Sequence, residues 1–119
     1  MTYAMMFYET PEAMAERNSD KAPAYWAAWT SYIDSMGKAG VMKGGQGLQP
    51  PQMATTVRLK GSQRLVQDGP YADTKEQLGG FVTIDVENLD QALEWAARSP
   101  AASQGSVEVR PILPPPPAR

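Results

Sequence analysis

The sequence predicts an α+β domain in the ferredoxin-like order βαββαβ, with an extra β-hairpin set into it. Three observations carry that prediction. Apolar residues alternate with strand period near both termini and again before residue 86. Two stretches with helical spacing separate these strands. Between them, Gly44 to Phe81 holds most of the glycines and strand-like pieces of its own. A chain of 119 residues is one domain by length, able to bury about two-thirds of its unfolded surface.

Each element has its own justification. Thr2 to Glu9 alternates Tyr3, Met5 and Phe7 with Ala4, Met6 and Tyr8. Both faces are apolar, so this strand is expected to be central and covered on both sides. A helix follows, with Asp20 as N-cap and Pro23 in the first turn. Tyr25, Trp29, Tyr32, Ile33 and Met36 form its inner stripe, and Gly37 and Gly40 stop it. Val41 to Leu48 reads as a strand weakened by glycines and ended by Pro50-Pro51. Thr55 to Lys60 and Arg64 to Gln67 flank Gly61-Ser62 as a hairpin. Phe81 to Val86 is a strand with Val82, Ile84 and Val86 on one face. Asn88 caps a second helix with Gln91 three residues on. Its expected inner stripe is Leu89, Ala92, Leu93, Ala96 and Ala97, and Ser99-Pro100 ends it. Ser106 to Ile112 is the last strand, Val107 and Val109 inward, Glu108 and Arg110 outward. The domain is expected to span residues 1–112, with 113–119 a proline-rich extended tail.

Two helices cover one face of such a sheet, and the first strand is apolar on both. The simplest cover for the other face is a second copy, so a homodimer with sheets packed face to face is expected.

Composition narrows the chemistry. There is no cysteine and no histidine, which removes disulfides, thiol redox chemistry, the usual neutral-pH proton shuttle and the commonest metal ligand. No cofactor and no metal site is expected. A net charge of −2 gives no electrostatic footprint for nucleic acid or an anionic membrane. No apolar run is long enough to span a bilayer, and MTYAMMFYET lacks the basic start and cleavage site of a signal peptide. A cytoplasmic protein is the expectation.

The remaining polar residues each admit two readings. Gly44, Gly45 and Gly47 would let backbone amides approach an anion or ligand. They equally make a bulge or allow close packing. Gly45 and Gln46 are the ligand-binding candidates of this stretch. Asp68, in Asp68-Gly69-Pro70-Tyr71, is a candidate general base, or only the residue that shapes the turn through backbone amides. Asp73-Thr74-Lys75-Glu76 reads as one short capped helical turn, with Lys75 as a weak catalytic candidate. Arg110 and Glu108, with Thr83 and Asp85, either line a pocket in the dimer or form an ion pair that fixes its interface. Tyr25 and Tyr71, with Asp68 and Arg110, complete the ligand-binding candidates. Tyrosine donates a hydrogen bond but is a poor unassisted base, with a pKa near about 10. Trp26, Trp29 and Trp95 read as core packing.

Several separated motifs, in order, carry a resemblance. Gly44-Gly45-Gln46-Gly47-Leu48-Gln49-Pro50, Ala54-Thr55-Thr56-Val57-Arg58, Asp68 to Glu76 and Leu78-Gly79-Gly80-Phe81 resemble the DGPF branch of the YCII-related family. Ala92 to Arg98 and Val107 to Pro111 are similar to it as well. The resemblance covers residues 3 to 112 and implies a dimeric α/β-barrel built from ferredoxin-like protomers. The wider family carries a His and an Asp thought to be catalytic. The His position falls near Ala24-Tyr25-Trp26 and the Asp position at Ser99, before Pro100, so this chain lacks both. Relatives of the branch occur fused to or beside sigma factors, which implies a transcription partner. Three functions stay open: a small-molecule-binding or regulatory module, an enzyme using carboxylate, Tyr or Lys chemistry, and a protein-interaction element acting with a sigma factor.

Overall fold

The computed structural model describes residues 1–117. Its strands are β1 (Thr2–Glu9), β2 (Met42–Gly47), β3 (Thr55–Lys60), β4 (Gln63–Asp68), β5 (Gln77–Asp85) and β6 (Gly105–Pro111). Its helices are α1 (Pro11–Ala15), α2 (Ala22–Lys38), α3 (Leu89–Ala97) and α4 (Pro100–Gln104). β2, β5, β1 and β6 form one sheet in that order, every pair antiparallel. With β3 and β4 set aside as a separate two-stranded sheet, this is the βαββαβ order expected from sequence.

Strand alternation places the core. Along β1, Tyr3, Met5, Phe7 and Glu9 are buried on the helix side, and their neighbours on the other side are half-buried. Val82 and Ile84 of β5 join them, with Tyr32 and Met36 from α2 and Ala92 and Ala96 from α3. Phe7 meets Trp29 and Tyr32 edge-on, at centroid separations of 5.0 Å and 6.0 Å.

Several expected boundaries shift for local reasons. α2 begins at Ala22, with Lys21 in the cap position and no side-chain cap. The residue expected to cap it, Asp20, lies in the preceding turn, where the Lys21 N–H donates to the Ser19 hydroxyl at 3.1 Å. The short α1 was not evident from spacing. It rests on Thr10, whose hydroxyl accepts from the Ala13 N–H at 3.1 Å, and on Pro11 at its first position. α4 was likewise not expected.

The α3 cap is as expected, Asn88 accepting from the Gln91 N–H at 2.9 Å. The expected α3 stripe needs correction. Only Ala92 and Ala96 are buried, while Leu89 and Leu93 stand about half exposed. The helix meets the sheet through its two alanines, which lets it sit close and leaves the flanking leucines outside.

β5 starts at Gln77, four residues earlier than expected, because Gly80, Leu78 and Gln77 continue the ladder with β1 past a register shift that leaves Gly79 unpaired. The expected helical turn at residues 73–76 is absent. Bends take its place, fastened by the Gln77 side-chain amide donating to the carbonyls of Ala72 and Thr74, each at 2.9 Å. Leu113 to Pro117 carry no regular structure; residues 118 and 119 of the expected tail lie outside the described residues.

Candidate functional site

The site grows from the end of β1. Alternation puts Glu9 in phase with Phe7 and Met5, so its carboxylate lies on the buried face, with 4% of the residue exposed. A buried carboxylate requires partners. Two arrive from the next segment. α1 turns the chain back so that Arg17 lies beside Glu9, and the first turn of α2 brings Tyr25.

The hydroxyl of Tyr25 donates to Glu9 Oε1 at 2.7 Å. Arg17 donates to Glu9 Oε2 at 3.3 Å, to the Tyr25 oxygen at 2.9 Å, and to the carbonyls of Leu48 and Gly79 at 2.6 Å and 3.1 Å. One guanidinium thus ties together β1, α2, the loop after β2, and β5. Among the described residues, no buried side-chain nitrogen or oxygen lacks a partner.

Gly79 leaves room for this network. A Cβ at that position would lie 2.8 Å from Glu9 Oε2 and 3.0 Å from an Arg17 nitrogen. Burial, reinforced by the hydrogen bond to Glu9, pushes the Tyr25 phenol up to about 12. It therefore stays neutral at ordinary pH and serves as a hydrogen-bond donor.

This trio is the floor of a cleft of about 840 Å³ between α2 and the glycine-rich edge of the sheet. Trp26, Trp29, Thr30, Ile33 and Asp34 form the helical wall, and Gly45 to Pro50 the opposite one. Trp29 packs on Phe7 as expected, but Trp26 is 48% exposed at the cleft, with the Arg17 guanidinium 5.6 Å from its ring centroid. Gly45 sets how close the glycine wall comes to β5. A Cβ there would lie 2.5 Å from the Phe81 carbonyl oxygen and 2.8 Å from Val82 Cγ1.

The sequence candidates divide between two regions. Tyr25, Gly45 and Gln46 line the cleft together. Asp68, Tyr71, Lys75 and Arg110 do not. Asp68 is exposed at the end of β4, and the turn after it is held by one backbone bond and by the Thr56 hydroxyl. The Gly69 N–H donates to the Ala54 carbonyl at 2.7 Å, and the Thr56 hydroxyl donates to the Gly69 carbonyl at 2.9 Å. Lys75 is exposed in the loop before β5. Tyr71 is exposed beneath the Arg58 guanidinium, 5.3 Å from its ring centroid. Arg110 pairs with Glu108 on the sheet face away from the helices.

Sequence reasoning missed Glu9 and Arg17. Glu9 had a signal: an acid at the end of an alternating strand, in register with its buried face. Arg17 had none, because its position depends on the turn that α1 makes.

A smaller cavity, of about 220 Å³, lies on the other side of Tyr25 and is bordered by Ala24, Pro100 and Ala101. Among the described residues, no group of three or more metal-binding side chains comes together, and no helix is long and apolar enough to cross a membrane.

Comparison with known proteins places this geometry in a family. The family model of the YCII-related domain matches residues 1–115. An uncharacterised protein of Rhizobium meliloti (strain 1021) is 48% identical over 67 residues, covering 55% of this chain and 54% of that protein. The chain thus spans about half the length of the curated relative it matches. Among solved structures, 5-chloro-2-hydroxyhydroquinone dehydrochlorinase from Burkholderia phenoliruptrix AC1100, in complex with 2,5-dihydroxybenzoquinone, superposes with a TM-score of 0.55 at 15% identity. That match covers 95% of this chain and 94% of the other, a likeness of fold.

Proposed function

The chain belongs to the YCII-related family, and on that premise we propose that it is a small-molecule-binding protein that works as a homodimer. The observation that carries this reading is the cleft. It has the volume of a ligand pocket, one aromatic wall and a polar floor whose members satisfy one another. A floor already saturated needs no ion from outside. Recognition then falls to the Trp26 ring and to polar groups such as Thr30, Asp34 and Gln46. The ligand class is a flat, partly apolar molecule bearing hydrogen-bonding groups. Homodimerisation is supported by the free sheet face, where Ala4, Met6 and Tyr8 lie beside Phe81, itself 37% exposed. We propose a cytoplasmic setting from the composition and a place on the DGPF branch from the motifs, and a sigma-factor partner is what resemblance to that branch implies.

One observation favours a second reading, an enzyme. Glu9 and Tyr25 share a 2.7 Å hydrogen bond at the cleft floor, so the carboxylate–tyrosine chemistry would sit there rather than at Asp68 or Lys75. The solved dehydrochlorinase of similar fold, with its quinone ligand, supports this only as an analogy of architecture.

A thermal-shift screen against metabolites, hydroxylated quinones included, tests both readings. A ligand at 100 times its dissociation constant adds about 2.7 kcal/mol. The binding reading expects a hit that weakens in Trp26→Ala and persists in Glu9→Gln, without turnover. Turnover of a hit, lost in Glu9→Gln with binding retained, establishes the enzyme. A hit indifferent to Trp26→Ala places binding outside the cleft.

A further inference from the structure

The β3–β4 hairpin is the part of the molecule least explained by its own fold. Two strands alone are marginal in water, yet this pair forms its own sheet, and all six residues of β4 are exposed. Register puts Val57 opposite Val66 and Leu59 opposite Arg64, so Val57, Leu59 and Val66 share one face. They are 56%, 74% and 56% exposed. The molecule as a whole is spread. Its radius of gyration is 16.4 Å, against about 13.5 Å for a compact chain of this length.

We propose that the hairpin is an arm that grips a second copy of this chain, adding to the dimer a contact that face-to-face sheets alone do not supply. The inference rests on the dimer reading above. Charge selects the occupant. From Thr55 to Asp68 the arm has three basic side chains (Arg58, Lys60 and Arg64) and one acidic, Asp68, whereas the rest of the chain has eight basic and twelve acidic. The arm therefore complements the body of its own kind of molecule.

Its attachment agrees. The arm grows out of β2 and returns into β5, neighbouring strands of the open sheet. Six residues per strand reach about 20 Å at about 3.3 Å each, enough to pass the edge of a copy seated on that face.

The site is touched as well. Leu48 and Pro50, at the root of the arm, line the cleft. An arm held by the partner fixes that wall, so ligand affinity and dimerisation reinforce one another.

Analytical ultracentrifugation of the full chain across a concentration series tests this, with Val57→Asp/Leu59→Asp and, separately, Arg58→Glu/Arg64→Glu. The second pair leaves Val57, Leu59 and Val66 in place, with position 64 beside them on the same face, and guards against misfolding of the first; circular dichroism checks both. The expected result is a wild-type dimer whose dissociation constant rises with salt. Both variants raise it at least about tenfold, and the charge variant loses the salt dependence. Variants that dimerise as tightly as wild type overturn the arm and leave the dimer standing. A wild type monomeric throughout overturns the dimer reading and the arm with it.

Discussion

The floor of the cleft and the β3–β4 hairpin handle polar and apolar groups in opposite ways. At the floor, Glu9 and Arg17 are withdrawn from water, with side chains 4% and 11% exposed, and two strands, a helix and a loop hold the network. In the hairpin, basic and apolar side chains alike face solvent. The difference teaches where the molecule is complete. A buried charge whose partner is lost becomes a large liability, so the floor tolerates little change. An exposed apolar face costs little in the single chain and gains only when something covers it.

That contrast can be broken by substitution. Arg17→Ala strips a buried carboxylate of its cation and is expected to cost about 3–5 kcal/mol, read by urea unfolding. Arg17→Lys recovers part of this at most, because one ammonium cannot reach Glu9, Tyr25 and two carbonyls at once. Tyr25→Phe leaves Glu9 Oε1 and one Arg17 donor unpaired, with an expected loss of about 1–3 kcal/mol in the same measurement. Asn88→Ala removes the α3 cap and should cost about 1 kcal/mol. At the other end of the contrast, Val57→Ser in dilute protein is expected to stay within about 0.5 kcal/mol of wild type.

Alkaline pH sharpens the comparison without mutation. Tyr25 is raised from 10.0 to about 12 in the folded state by burial and its bond to Glu9. Tyr32 is raised too, by burial. The Tyr25 contribution is complete below the unfolded value and is lost as pH climbs from 10 through about 12, and that of Tyr32 begins to fall at the same starting pH. Stability measured across that range should fall, while an ultraviolet titration shows these two phenols ionising late. In Tyr25→Phe the fall should be shallower.

Much of the fold was legible because alternation is a local signal. β1 and the core of β5 follow from residues two apart, and the Asn88 cap from residues three apart. The stripe of α2 was legible for the same reason. What could not be read depends on distance between helix and sheet. Leu89 and Leu93 match a helical stripe, but α3 approaches the sheet through alanines and leaves them outside. The candidate site was half legible. Tyr25, Gly45 and Gln46 were singled out and do meet at one cleft. Asp68, Tyr71, Lys75 and Arg110 attracted notice by residue type and motif, yet lie elsewhere. Arg17 could be found only once α1 had turned the chain back onto β1.

Amide hydrogen exchange at two protein concentrations, one well below and one well above the dimer dissociation constant, tests the contrast most directly. The prediction is that amides of β1 and β5 exchange only through global unfolding in both samples, while those of β3 and β4 exchange fast when dilute and become protected when concentrated. Hairpin amides as slow as those of β1 in the dilute sample would contradict the account, because the arm would then be held by its own chain.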